Sequence, residues 1–375
     1  MRILDRHVMG RFLANFLILF SLLFVFAVSV DVIVQAERYL DAARAAVNAG
    51  RAWNVPTGVA MLLLDFHGPR VFQFYQYMLG LVSVGAMGFT LAQMHRTREL
   101  TAIMAAGISL RRVAGALLLA AAFLNVLQII NQEAVLPRLA PRLVRDHSDL
   151  LSPGTQRYPL PLTRDGAGNL IHARSFDPET SVLEGVLIID RDAGGEARRR
   201  ITAERATWDA ELGGWRLEQG TAIVRGTLTQ EGAALPETTF LQPISFFATD
   251  LHPHAIVVKR FRLYSQMLGI TQLKMLEEQG GVEPGMVTQL RLNRFAAPLA
   301  NLLVLALAIP FFLLREPRVL LQQSVKAAAV AVPAMLGALV FLTVPFKDVP
   351  AAMVVALPVA VLLPVSAWRL AYLRT

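Results

Sequence analysis

Long apolar stretches rise three times along the first third of the chain, vanish, and return three times at its end. Phe12 to Val34 is almost wholly apolar and exceeds the roughly 20 residues that a helix needs to cross the hydrocarbon core of a bilayer. Val71–Met94, Val113–Ile130, Phe295–Leu314, Val325–Val344 and Ala351–Leu370 repeat the pattern. Between residues 136 and 294 no apolar run reaches that length, and β-prone stretches take over at Asn169–Ser175, Val182–Asp190, Arg200–Trp208, Gly214–Gln219 and Ala222–Thr229, separated by Asp-Gly, Gly-Gly and similar turns. Side chains alternate along a strand. Val186 and Ile188 are therefore expected to point inward and Leu187 and Ile189 outward, and Ile201, Ala203, Arg205 and Thr207 to oppose Thr202, Glu204, Ala206 and Trp208. The pattern predicts an α-helical integral membrane protein of six transmembrane helices, three before and three after an inserted all-β domain of sandwich or barrel type, with boundaries at 1–135, 136–294 and 295–375.

The polar loop between the second and third spans is patterned as a helix of its own. Leu100, Ile103 and Met104 fall on one face, while Arg96, Arg98 and Glu99 begin the segment on the other. Gly107 is placed to end that turn in a left-handed cap, and Ser109 to cap the helix that follows. Such an element reads either as an interfacial connector holding lipid head groups or as a coupling helix that docks into a cytoplasmic motor.

Charge orients the chain. Arg2, Arg6 and Arg11 precede the first span, and alternation then places residues 95–112, 315–324 and the carboxyl terminus on the same cytoplasmic side, all arginine-bearing with few acids. The β domain falls outside, and so do the connector at 39–69, broken at Asn54-Val55-Pro56, and a helix at Tyr264–Gln279 ended by Gly280-Gly281 and Pro284-Gly285. The composition agrees: of 375 residues 54% are hydrophobic and 17% charged, and the mean hydropathy is +0.47. A net charge of +8 is spread over loop ends with no aromatic-rich basic module, which points to membrane lipids and away from nucleic acid. The absence of cysteine excludes disulfides and Cys-based metal sites.

Polar and small residues within the spans mark contacts. Gly80, Ser83, Gly85, Ala86 and Gly88 form a surface on which another helix approaches closely. Asn125, Gln128 and Gln132 share a face that has to meet protein or water. Asp31, Gln35 and Arg38, at spacings of four and three, form the polar end of the first span; there Asp31 is a candidate ion-pair partner for Arg38.

Several of these stretches also resemble one family. Arg98-Glu99-Leu100, followed by Ala105-Ala106-Gly107-Ile108-Ser109 and Arg111, is similar to the cytoplasmic loop of the LptF/LptG (YjgP/YjgQ) permeases of lipopolysaccharide export. Leu4-Asp5-Arg6-His7 resembles the family's start, a short helix along the inner face. Ala203-x-x-Ala206-x-Trp208 with Trp215-x-Leu217-x-x-Gly220 resembles its periplasmic β-jellyroll domain. Arg294-Phe295-Ala296-Ala297-Pro298-Leu299 and Ala308-Ile309-Pro310-Phe311 resemble its fourth helix. The likeness implies a permease subunit of an ABC transporter in the bacterial inner membrane, paired with a homologous subunit and driven by a cytoplasmic ATPase dimer docked at residues 95–110, with Arg98, Glu99, Ile103 and Gly107 as coupling residues. It implies that lipopolysaccharide, or a related glycolipid, is passed along a jellyroll-like trough to a periplasmic bridge protein, and that Arg38 and Arg44 meet the lipid A phosphates. Val32-Ile33-Val34 stands where some relatives carry a basic residue.

No phosphate-binding Gly-x-x-x-x-Gly-Lys-[Ser/Thr], His-Glu-x-x-His or Gly-x-Ser-x-Gly motif occurs. Neither catalytic residues nor cofactor nor metal are expected, and work has to come from a partner. A relay that passes ATPase motion to the outer domain without moving a substrate is the alternative, against which the count of 3+3 spans stands.

Overall fold

The computed structural model describes residues 3–143, 157–178, 180–192, 194–226, 229–230, 233–234, 238–260, 266–279, 284–313, 320–344 and 349–371. The chain divides into two compact units, one of residues 1–139 with 288–375 and one of residues 140–287.

The first unit holds six helices long and apolar enough to cross a membrane. Helix α1 (Ile3–Val34) runs without a break, so the opening residues continue into the first span and form no separate helix. Helix α2 (Ala36–Asn48) buries Tyr39, Ala43 and Ala46 at helical spacing. Helix α3 (Val55–Arg96) starts in a capping box in which Asn54 accepts from Thr57 N–H, with proline in the first turn, where its missing N–H costs nothing. The connector of residues 39–69 is thus largely a helical hairpin, and α3 starts at its expected break, Asn54-Val55-Pro56. Gly58 is the reason the pair closes: a Cβ there would lie 3.2 Å from the Ala43 Cβ. At 1.5 Å per residue α3 is about 63 Å long, roughly twice the hydrocarbon thickness.

Helix α4 (Glu99–Ala105) is the short loop helix. Helix α5 (Leu110–Ile130) passes through a π turn at Asn131–Val135 into α6 (Leu136–Leu143). Pro137 accounts for the wide turn, because it has no N–H to give to the carbonyl of Glu133 and its ring crowds that carbonyl. The remaining helices of this unit are α9 (Pro284–Phe312), α10 (Leu320–Thr343) and α11 (Ala351–Ala371). Pro284 opens α9 at its first position, where proline is favoured, so Pro284-Gly285 begins the fourth long helix, a correction to its expected role as a stop. Residues 315–319 of the expected cytoplasmic stretch 315–324 lie outside the described residues.

Helix α3 is central to this unit. Leu79, Val82, Met87, Leu91 and Met94 are fully buried. Its glycines face three neighbours: a Cβ on Gly80 would collide with the Asn301 side chain of α9, one on Gly85 would come 2.8 Å from Leu19 of α1, and one on Gly88 3.0 Å from Phe312. Between lipid-exposed helices there is little hydrophobic driving force, so such close approach supplies the packing.

The second unit is an antiparallel sheet. Strands β1 (Tyr158–Arg164), β2 (Leu170–Asp177), β3 (Val182–Arg191), β4 (Ala197–Asp209), β5 (Gly214–Glu218) and β10 (Phe246–Ala248) lie in that order, while β6 (Thr221–Gly226) pairs with the first half of β4 and with β9 (Thr238–Pro243). A two-residue ladder joins β7 (Thr229–Gln230) and β8 (Ala233–Ala234). The sheet therefore forks at β4, whose second half pairs with β5.

Strict alternation along β4 does not hold. Ile201, Ala203 and Ala206 are buried while Glu204 and Arg205 are both exposed. The same three-residue step occurs in β2, at Ala173 and Phe176, and in β3, at Val186 and Leu183, and these residues are aligned across the ladder. A crease thus runs over three strands. Gly185 lies on it with φ +62°, a conformation that a Cβ disfavours, and with the Arg174 Cβ 3.0 Å from where its own would be. Val186 and Ile188 are buried and Leu187 and Ile189 half-buried, as expected.

A cluster of buried side chains lies on one face of the sheet. Trp215 is fully buried, donates its indole N–H to the Leu251 carbonyl at 3.0 Å and packs edge-on against Trp208. Ala255 and Ile256 of helix α7 (Pro253–Arg260) belong to the same cluster as Val186 and Ile188. Helix α8 (Ile270–Gln279) follows; the first residues of the expected 264–279 helix, Tyr264 and Ser265, lie outside the described residues.

Candidate functional site

The loop of residues 97–109 is built by two left-handed residues. Arg98, at φ 58°, turns the chain out of α3, and Gly107, at φ 72°, turns it out of α4. Ser109 then caps α5 by accepting from the Arg111 N–H at 3.2 Å. Leu100 and Ile103 are buried in the core of the unit and Met104 is half-buried, which fixes the roll of α4. Thr101, Ala102, Ala105, Ala106 and Gly107 are left exposed, a flat face of small side chains beside the exposed Arg96, Arg98 and Arg111. Of the four residues the sequence singled out, Arg98 and Gly107 are exposed, while Ile103 faces the chain's own core.

Glu99 is held within the chain. Its carboxylate forms an ion pair with Arg11 at 2.7 Å, accepts from the Thr97 hydroxyl at 2.9 Å and lies 3.3 Å from the His7 ring. Partial burial works to raise its pKa, and the hydrogen bonds from Thr97, His7 and Arg11 together with the Arg11 charge outweigh it, leaving the carboxyl below its ordinary value. On the other flank of the loop Arg112 donates two hydrogen bonds to Asp5, at 2.9 and 3.0 Å, and Arg111 donates to the Ala371 carbonyl at the end of α11. His95 meets the Phe312 carbonyl at 2.7 Å. The loop and the helix ends that flank it, residues 95–112, thus touch the ends of α1, α9 and α11. No sequence pattern signals these partners, which lie tens to hundreds of residues away.

At the opposite end of α1 the helical register stops at Gln35 and restarts in α2, so the expected Asp31–Arg38 face is broken. Asp31 instead accepts from the Tyr39 hydroxyl at 3.1 Å and lies 3.3 Å from His67, and the Tyr39 hydroxyl also meets His67 at 3.1 Å. Arg38 is exposed and forms no ion pair among the described residues; Arg44 is exposed and lies 3.4 Å from Asp41.

Polar groups are also buried among the long helices. The Gln128 amide donates to the Gln76 carbonyl and the Asn131 amide to the Phe72 carbonyl, both across to α3, while the Asn125 amide turns back to the Ala121 carbonyl of its own helix. Asn125, Gln128 and Gln132 are all buried, so the face meets protein. Arg294, with its side chain 5% exposed, lies 3.6 Å from Glu133 on the π turn. Among the described residues no group of His, Cys, Asp or Glu is arranged to hold a metal ion.

Across residues 2–372 the chain matches the family described as lipopolysaccharide export system permease LptF/LptG. It belongs to that family. No match to a curated protein was found. As an LptF/LptG protein the chain is a multi-pass membrane subunit of lipopolysaccharide export and is not itself an enzyme. Its six long helices and inserted antiparallel β region are the frame on which the loop of α4 and the α1–α2–α3 hairpin are carried.

Proposed function

We propose that this LptF/LptG subunit is driven by a cytoplasmic ABC ATPase dimer that docks on the outward face of α4, and that with a homologous permease subunit it encloses a cavity for lipopolysaccharide. The observation that carries the reading is the roll of α4: Leu100 and Ile103 anchor it in the core while its small residues and neighbouring arginines face away from the unit. A helix held in this way moves as one body with the membrane helices, and its flat face fits a groove that offers acidic groups to the arginines. Arg98 and Gly107 lie in the contact; Ile103 transmits from behind it, and Glu99 sets the attitude of α4.

The loop end of the helices is then cytoplasmic, and the β unit lies in the periplasm, where it passes the lipid to a bridge protein of β-jellyroll type. Arg38 and Arg44, both exposed on α2 just beyond the far end of α1, are available to pair with lipid phosphates, which the arginine fork matches. Ala102→Trp tests the docking, because it enlarges the exposed face without touching the core. Co-purification of the ATPase is expected to fall while the permease pair persists. Undiminished co-purification and ATP turnover would sink the proposed contact.

A further inference from the structure

We infer that Asp5, Arg11 and Arg112 are positioning residues that make α1 move with the coupling loop: they fasten the first turns of α1 to both flanks of α4. The inference rests on the docking reading above and adds the route by which motion leaves the loop.

The geometry is that of a two-point clamp. Asp5 receives both ends of the Arg112 fork, at 2.9 and 3.0 Å, with side chains only 20% and 29% exposed. Arg11, nearly two helical turns further along α1, grips Glu99 at 2.7 Å. Glu99 opens α4 and Arg112 lies in the first turn of α5, so the two attachments bracket the loop helix. A bidentate pair resists rotation as well as separation, which a single contact does not.

Packing shows why α1 needs such a fastening. Its only buried side chains are Val8, Phe12 and Phe16, all in its first half. Beyond them Leu22, Val25, Phe26 and Val30 are exposed on the unit. Along its middle the helix meets α3 on one side only, through Asn15 with Thr90, Leu19 against Gly85, and Phe20 and Phe24 against Phe74, until Asp31 is held by Tyr39 and His67. A displacement of α4 enters α1 through the clamp, and without the clamp α1 follows only as far as this one-sided packing carries it.

The chain has no cysteine, so single spin labels can be placed on the assembled transporter through Leu22→Cys on α1 and Gln93→Cys, exposed in the last turns of α3 beside the loop and off its docking face. In the unmodified clamp both labels are expected to change mobility when nucleotide is added. With Asp5→Asn and Arg112→Gln, the Gln93 label should still respond and the Leu22 label should lose most of its response, while the ATPase remains bound. The exchange of Asp5→Arg with Arg112→Asp, which re-forms a pair, should restore the Leu22 response; restoration separates the clamp from a general effect on folding. A Leu22 response that survives loss of the clamp overturns the inference, as does loss of both responses together. If the Gln93 label fails to respond even with the clamp intact, the docking itself is overturned and the inference falls with it.

Discussion

Glu99 shows how much a residue's meaning depends on its neighbours. On the sequence it is one acid between arginines, open to a partner; in the folded chain Arg11, Thr97 and His7 surround it. Its carboxyl pKa is depressed relative to the unfolded chain. The group therefore contributes stability that is present above the ordinary carboxylate value near 4.3 and is lost as pH falls through the lower folded-state value. The attachment of α1 to the loop should accordingly persist as pH falls to the ordinary carboxylate value and loosen only below it. Spin-label distances between Arg6→Cys and Ala102→Cys, followed from neutral to acid pH, would check this, with loosening already at pH 5 to 6 as the contrary result. Asp31 carries the same lesson at the far end. A pair with Arg38 follows from unbroken helical spacing, and the break at Gln35 hands Asp31 to Tyr39 and His67 instead.

Elements were read from the chain with uneven success, and the reasons are physical. Spans are legible because the hydrocarbon core demands a length, and all six appear. The glycine surface of α3 was legible too, since small side chains on a membrane helix have few uses other than close approach. Gly80 is the severest case, with Asn301 directly against it. Gly80→Leu should push α9 away from α3 and destabilise the helical unit by about 1–3 kcal/mol, in the range typical of overpacking. The midpoint of thermal unfolding in detergent would fall, whereas Gly115→Leu, on a helix surface with nothing within 4 Å, serves as the control. The crease across β2, β3 and β4 was not legible. Alternation assumes an extended strand, and the step from Ala203 to Ala206 arises only where three strands bend together around Gly185.

The whole molecule brings its arginines to two different uses. Arg11 and Arg112 are spent inside the chain, while Arg38 is left exposed with no ion pair among the described residues. If Arg38 meets lipid phosphate, Arg38→Glu should lower lipopolysaccharide-stimulated ATP turnover of the assembled transporter several-fold, because it replaces an attraction with a repulsion. Protein yield and basal turnover should stay unchanged, since no described contact is lost. Stimulation at the original level would remove Arg38 from the substrate path, and a fall in yield would assign it to the fold.

What the sequence determined by itself is what local physics dictates: six membrane-length helices, a β region between them, the helical loop with its caps at Gly107 and Ser109, and the absence of nucleotide and catalytic motifs. Each follows from length, period or backbone conformation within a few residues. Only the tertiary structure decided which charges are internal and which face outward. Glu99 and Arg11, Asp5 and Arg112, and Arg294 and Glu133 are separated by 88, 107 and 161 positions. Ion pairing across such distances leaves no periodic mark, because it depends on which helix ends the fold brings within about 4 Å of one another.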